Sequence, residues 1–206
     1  MNKEMKAKLI RIAKQNIQKD SSSNEINHAI RVLIKAEFIA KKEGGDLDVI
    51  VPSALFHDIF WYPKGHSKFN YGPYESAGFA VKVLNKINGY PHEKIPKVYS
   101  TIKQCSLNKS IKPDSIEAKI LRDADRLDVT GSISLTRTIS SMDQADCKVF
   151  NFDKGTIERL DKKLDFKIDV LYSSIVKITD LMHTTTGKTL AEKRTNILKK
   201  YMIYMN

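Results

Sequence analysis

Segment after segment of this chain sets apolar side chains three and four residues apart, and that spacing leaves room for one kind of architecture. Met5, Leu9, Ile12, Ala13 and Ile17 form such a stripe, with lysines on the opposite face. Ile30, Leu33, Ile34, Phe38 and Ala40 form a second, which predicts a largely buried helix; Ala77, Ala80, Val81 and Leu84 form a third, and Ile95, Val98, Tyr99 and Ile102 a fourth. A period near 3.6 gathers such residues on one side of an α-helix, whereas a half-buried strand needs strict alternation, which no segment shows convincingly. The expected fold is all-α, a compact helical bundle. At 206 residues and 41% hydrophobic content the chain can build one domain with a real core, expected to span 1–206 with its centre at 24–143 and a helical extension at 156–204.

The helices are expected at 3–18, at 26–42 up to Gly44-Gly45, and from about Asp46 through Val49, Ile50, Val51, Ala54, Leu55 and Phe56 to His57-Asp58. Pro52 is tolerable in this third helix only near its first turn. Phe60 to Pro73, with five aromatics, two lysines and a histidine, reads as a loop suited to stacking on a base and meeting phosphate. Helices follow at 74–86, at 93–105 after the Asn88-Gly89-Tyr90-Pro91 turn, from Ile116 after Pro113-Asp114-Ser115, and at 132–142; 143–155 reads as a polar linker. Ile157, Leu160, Leu164, Ile168, Leu171, Ile175, Ile178 and Met182 predict one long helix from Thr156 to His183. Its narrow apolar seam suits packing on the core or on a second copy in a homodimer. Thr184-Thr185-Thr186-Gly187 should break it before a short last helix over 190–202.

An excess of 35 Lys and Arg over 24 Asp and Glu gives a net charge of +11, which favours anionic partners. The lysines are dispersed over nearly every helix with no run of five, so most form solvated faces, and nucleic acid is expected to bind weakly if at all. Nothing approaches a membrane span, and Met1 to Arg11 is a charged amphipathic run with no signal-peptide core, so a cytoplasmic location is expected. Cys105 and Cys147 are too few and too far apart for a disulfide framework and are expected as reduced thiols.

The third helix ends in an adjacent imidazole and carboxylate, His57-Asp58. Both are good ligands for Mn, Fe, Co, Ni or Zn. His28 stands on another helix about 29 residues upstream, and Asp123-Ala124-Asp125-Arg126-Leu127-Asp128 follows about 65 residues downstream among apolar helical positions. A ligand, an adjacent pair and a further Asp, each on its own helix, can hold a divalent ion and leave positions for water and substrate.

This order of residues resembles the HD-domain metal-dependent phosphohydrolases, over roughly Asn24 to Asp143. The resemblance rests on His28-Ala29-Ile30-Arg31-Val32, Ala54-Leu55-Phe56-His57-Asp58-Ile59, Tyr74-Glu75-Ser76-Ala77 and Ile120 to Asp128, the last string being similar to a subgroup of small stand-alone hydrolases with an Asp-Ala-Asp-Arg-Leu-Asp signature. It implies metal ligation by His28, His57, Asp58 and Asp125, with Asp123 and Asp128 as orienting neighbours. One divalent transition metal is expected, with Mn favoured. Relatives often carry a further His in an Ile-x-x-His pattern, where this chain has Ile102-Lys103-Gln104-Cys105, and the missing imidazole argues for one metal rather than two. Carboxylates that follow the His-Asp pair in some of these enzymes are also absent, since Ile59-Phe60-Trp61-Tyr62 comes next. Gly89-Tyr90-Pro91 lacks the context in which the cyclic-di-GMP phosphodiesterase branch carries those letters, and that branch is set aside.

The candidate catalytic residues are Asp58, Glu75 and Arg31, with Glu75 the nearest acidic group for proton transfer. Arg31, Lys64, Lys68 and Arg126 are the candidates for holding phosphate oxygens: the two arginines by adjacency to ligands on their helices, the two lysines by their place in the aromatic loop. The implied activity is hydrolysis of a small phosphorylated substrate, a nucleotide, either releasing pyrophosphate from a nucleoside triphosphate or dephosphorylating a monophosphate. The alternative is a nucleotide or nucleic-acid binding module whose metal site is structural or vestigial.

Overall fold

The computed structural model describes residues 1–17, 26–62, 65–105, 112–128, 130 and 178–204. Among these every regular element is helical: α1 (Lys3–Asn16), α2 (Ile26–Glu43), α3 (Leu47–Phe56), α4 (Gly72–Leu84), α5 (Ile95–Lys103), α6 (Ile116–Asp128) and α7 (Thr185–Tyr204), with short 3-10 turns at Phe69–Tyr71, His92–Lys94 and Thr179–Leu181. The expected helix at 132–142, the linker at 143–155, most of the long helix from Thr156, Lys64 and Cys147 lie outside the described residues. The chain divides into two compact units, Met1–Asp125 and Arg126–Asn206, with the division inside α6.

In the first unit α3 is the hub, packing against α1, α2, α4 and α5. Every residue from Val49 to Phe56 is buried, as an apolar helix without a polar face requires. Its N-terminus is fixed by charge. The Asp46 side chain caps α3 by accepting from Asp48 N–H, and Lys94 Nζ lies 2.7 Å from both Asp46 Oδ2 and Asp48 Oδ2. Glu117 of α6, its side chain only 3% exposed, accepts from Asp46 N–H at 3.1 Å and from Lys97 Nζ at 2.9 Å. Gly44 and Gly45, both at positive φ, turn the chain from α2 into α3. A Cβ on Gly45 would stand 3.0 Å from Ile50 Cδ1 and Ile120 Cδ1.

Several sequence expectations are corrected here. Pro52 does not lie in the first turn of α3 but near its middle. A proline there leaves the carbonyl four residues back without its N–H donor. That carbonyl belongs to Asp48, and the Tyr90 hydroxyl donates to it at 2.7 Å. On α2 the buried face is Ala29, Val32, Leu33, Ala36, Ile39 and Ala40, while Ile34 and Phe38 are 61% and 47% exposed. Those two sit on the i, i+4 row from Ile30, which lies to one side of the face that α2 packs against α3. α4 begins at Gly72-Pro73, two residues before the expected start, and a 3-10 turn occupies part of the expected loop.

In the second unit the described chain leaves helical backbone after the 3-10 turn, with Met182 extended, so the long helix expected from Thr156 does not reach His183. Thr184 Oγ1 accepts from Gly187 N–H at 3.0 Å and α7 starts at Thr185, five residues before the expected Leu190. The threonine run therefore caps a helix, because a hydroxyl there satisfies an N–H that the first turn leaves without a partner. Arg194 of α7 donates to the Leu127 carbonyl at 2.6 Å. No described helix is long and apolar enough to cross a membrane.

Candidate metal centre

Three helices of the first unit bring the site together. His28 comes from the first turn of α2, His57 is the residue that ends α3, and Asp125 lies in the last turn of α6. His28 Nε2 is 3.3 Å from His57 Nε2 and 3.4 Å from Asp125 Oδ1; His57 Nε2 is 3.7 Å from the same oxygen. Asp58 Oδ2 lies beside this group, 3.6 Å from His57 Nε2 and 3.8 Å from His28 Nε2, and outside the tight set that the other three form. Both imidazoles are buried, while about a third of the Asp58 side chain reaches solvent, 35% by area. The set is buried at its imidazoles and reaches solvent through its carboxylates, Asp58 more than Asp125.

The tautomer of His57 follows from its other nitrogen. Nδ1 lies 3.0 Å from the Ala54 carbonyl, one turn back along α3. A carbonyl only accepts, so Nδ1 carries the proton and Nε2 of the neutral ring points its lone pair at the cluster. The fit to a divalent ion is good on geometry alone. Metal–nitrogen distances near 2.0–2.1 Å imply ligand–ligand edges of about 2.8–3.0 Å in an octahedral shell and about 3.3–3.4 Å in a tetrahedral one, an overall range of about 2.8–3.4 Å. The His28–His57 and His28–Asp125 separations of 3.3 and 3.4 Å fall in that range. His28, His57 and Asp125 are also the group whose ligand atoms all lie within 4.8 Å of one another among the described residues.

Electrostatics within the cluster are strong. Burial opposes the charge on Asp125, but hydrogen bonding to His28 and His57 outweighs it and holds the carboxyl far below the usual range. For His57, burial acts to lower the pKa and the Asp58 and Asp125 carboxylates reverse the sign, so the ring is raised. Asp58 goes the other way: burial, and after it the neighbouring Asp125 charge, outweigh the attraction of His57 and His28 and raise its carboxyl.

The segment after Asp58 is held by contacts that sequence reasoning missed. Ser76 of α4, fully buried, accepts from Phe60 N–H at 3.0 Å and donates back to Phe60 C=O at 3.3 Å. Gly72 permits this close approach, since a Cβ there would stand 2.9 Å from the Phe60 oxygen. Phe79 meets Phe56 and Phe60 edge-on, with centroids at 5.6 and 6.2 Å, so the residues bracketing the His-Asp pair both rest on α4. Ser76 belongs to the Tyr74-Glu75-Ser76-Ala77 string, which was the available signal; nothing in the sequence marked Phe79.

The remaining candidates are placed as follows. Glu75 accepts from the Tyr62 hydroxyl at 2.5 Å and pairs with Lys68 Nζ at 3.3 Å; the Tyr62 bond, then Lys68, hold its pKa below the ordinary value. Tyr62 stacks on His66 at 4.9 Å with planes 15° apart. Lys68 is exposed and committed to Glu75. Arg31 lies half-buried one turn along α2 from His28. Arg126, in the second unit, bonds the Leu181 carbonyl and His183 Nε2, the latter at 3.0 Å. Asp123 is fully buried.

Residues 26–130 match the model of the HD domain, half of the chain, and the protein belongs to that family. Uncharacterized protein YpgQ of Bacillus subtilis is 27% identical to it, across 97% of this chain and 92% of its own length. Among solved structures, an HD-superfamily hydrolase from Bacillus thuringiensis superposes with a TM-score of 0.73 at 24% identity, covering 98% of this chain and 95% of that one. The crystal structure of B. subtilis YpgQ in complex with ADP superposes with a TM-score of 0.69 at 22% identity, covering 97% and 95%.

Proposed function

We propose that the protein is a metal-dependent phosphohydrolase acting on nucleotides, with His28, His57, Asp58 and Asp125 holding one divalent transition metal, Mn for preference. The observation that carries this reading is the convergence of two imidazole nitrogens and a carboxylate oxygen within 3.3–3.7 Å, with the His57 tautomer fixed toward them. When bound, such an ion lowers the pKa of a water and offsets charge that builds on a phosphoryl oxygen. Asp58, the ligand that reaches solvent, orients the attacking water and accepts its proton. Arg31, close to His28 on α2, supplies charge to phosphate oxygens, with Lys64 of the aromatic segment as the second candidate, whereas Lys68 is committed to Glu75. Glu75, held ionised by Tyr62 and Lys68, serves to shape that segment and is a poor proton donor. Arg126 is engaged by Leu181 and His183 and is left out of the phosphate set. A nucleotide as substrate is supported by the ADP complex of B. subtilis YpgQ; release of pyrophosphate from a nucleoside triphosphate is the first expectation and monophosphate dephosphorylation the second.

The test is a screen of nucleoside mono-, di- and triphosphates with Mn, Co, Ni and Mg, scoring phosphate against pyrophosphate. Turnover that disappears in Asp125→Asn together with bound metal supports the reading. Metal and nucleotide binding without turnover on any of them would refute it in favour of a binding module.

A further inference from the structure

One contact in the first unit is still unexplained, the hydrogen bond from the Tyr90 hydroxyl to the Asp48 carbonyl in the first turn of α3. The two residues are 42 apart in sequence, and Tyr90 is 4% exposed, seated after the turn in which Gly89 takes φ +81°. A buried tyrosine needs a partner for its hydroxyl, yet this one takes a backbone carbonyl inside a helix, where the carbonyl normally belongs to an N–H. It is available because Pro52 has none to give.

A proline in a helix interior does more than remove a bond, because its ring pushes against the carbonyl four residues back and opens a hinge there. His57 lies five residues beyond Pro52, about 7.5 Å along the axis. A change in bend of about 10° would move the end of the helix by about 1.3 Å, more than the roughly 0.5 Å tolerance of a ligand constellation. Something has to set the angle. The Tyr90 hydroxyl grips the freed carbonyl at 2.7 Å, while Asp46 and Lys94 hold the turn before it.

We propose that Tyr90 is a positioning residue for the metal centre: its hydroxyl supplies the bond that Pro52 withholds and so fixes the direction in which α3 presents His57 and Asp58. The structural half rests on geometry alone; the functional half rests on the metal reading above. Burial, reinforced by Asp48, Asp46 and Glu93, pushes the Tyr90 phenol well above its ordinary value, so it stays a donor across the working pH range.

The experiment compares wild type, Tyr90→Phe, Pro52→Ala and the double variant, by Mn²⁺ titration without substrate and by amide hydrogen exchange over residues 53–58 in metal-free protein. Tyr90→Phe should weaken Mn²⁺ binding about tenfold, the lower edge for loss of a bond that supports a ligand, and should speed exchange in that turn. Pro52→Ala restores the N–H, so in its background the same change should cost less than about twofold in both readouts. Equal losses in both backgrounds, or exchange unmoved by Tyr90→Phe, would overturn the proposal. Faster exchange with Mn²⁺ affinity unchanged would reduce Tyr90 to a structural role and overturn it too. Wild type that takes up no Mn²⁺ would sink the metal reading and the function assigned to Tyr90, and the exchange comparison would still show whether the bond governs the helix.

Discussion

Replacing Ser76 by Ala removes a single oxygen, and the structure says what that oxygen does. It satisfies both backbone polar groups of one residue, Phe60 N–H at 3.0 Å and Phe60 C=O at 3.3 Å, just past the His-Asp pair. Ser76 is fully buried, and the Gly72 backbone sits against the Phe60 oxygen so closely that even a Cβ would clash. Water therefore has little room to take the place of the hydroxyl. Leaving a buried N–H unmade costs about 1–3 kcal/mol, and the longer bond to the carbonyl adds little, so about 2 kcal/mol is expected. For a chain of this size that corresponds to a fall of about 4–8 °C in Tm. Urea unfolding should show a lower midpoint with an unchanged slope, since the surface exposed on unfolding is the same. Mn²⁺ affinity should fall as well, because the peptide that anchors Asp58 has been released. A loss below about 0.5 kcal/mol would show that the Phe60 peptide finds another partner and that Ser76 does not hold the segment.

Asp123 and Asp125 are two residues apart on α6 and point to different sides of it. Asp125→Asn should abolish Mn²⁺ uptake by titration, whereas Asp123→Asn should lower stability and leave uptake largely intact; the reverse ranking would overturn the ligand assignment. Gly45→Ala should cost about 1–3 kcal/mol in denaturant unfolding, because φ +116° adds backbone strain to the two contacts at 3.0 Å. Gly44→Ala, at φ +82° with open space around it, should cost less. The Lys94 ion pairs predict a pH dependence with a definite sign. Asp48 is held below its ordinary 3.8, chiefly by Lys94, so its contribution is present above that pH and fades as pH falls below it. Lys94 is raised above its ordinary 10.5 by Asp46 and Asp48, so its contribution is present below that pH and fades as pH rises beyond it. Thermal melts of Lys94→Met should lie below wild type between those limits and converge with it outside them.

The helical class was legible because periodicity is local, and His28, His57, Asp58 and Asp125 were legible because an unusual chemistry recurs at the right helical positions. What escaped depended on partners distant in sequence. Ile34 and Phe38 belong to an apolar row as convincing as the one that is buried, and only the placement of α2 on α3 decides which row faces in. Pro52 reads from sequence as tolerable only near a first turn, because the donor that stands in for its missing N–H is Tyr90, beyond another helix and a turn. Thr184 to Thr186 looked like a break because residues that cap helices also end them. Ser76 sat inside a string already singled out, yet its task, holding Phe60 at both ends, appears only when α4 lies against the end of α3.

The way α3 ends has a consequence for the order of events at the site. A helix carries partial negative charge at its C-terminus, and a helix enclosed by apolar side chains screens that pole poorly. His57 and Asp58 stand at that end of α3, and Asp125 stands in the last turn of α6. On the proposed function, a phosphate arriving ahead of the metal would meet two carboxylates and the negative end of α3, offset only by the first turn of α2 at His28. Addition should therefore be ordered, cation before nucleotide, and the apparent nucleotide affinity should be governed by the metal concentration. Nucleotide affinity that is undiminished in chelator would contradict this polarity.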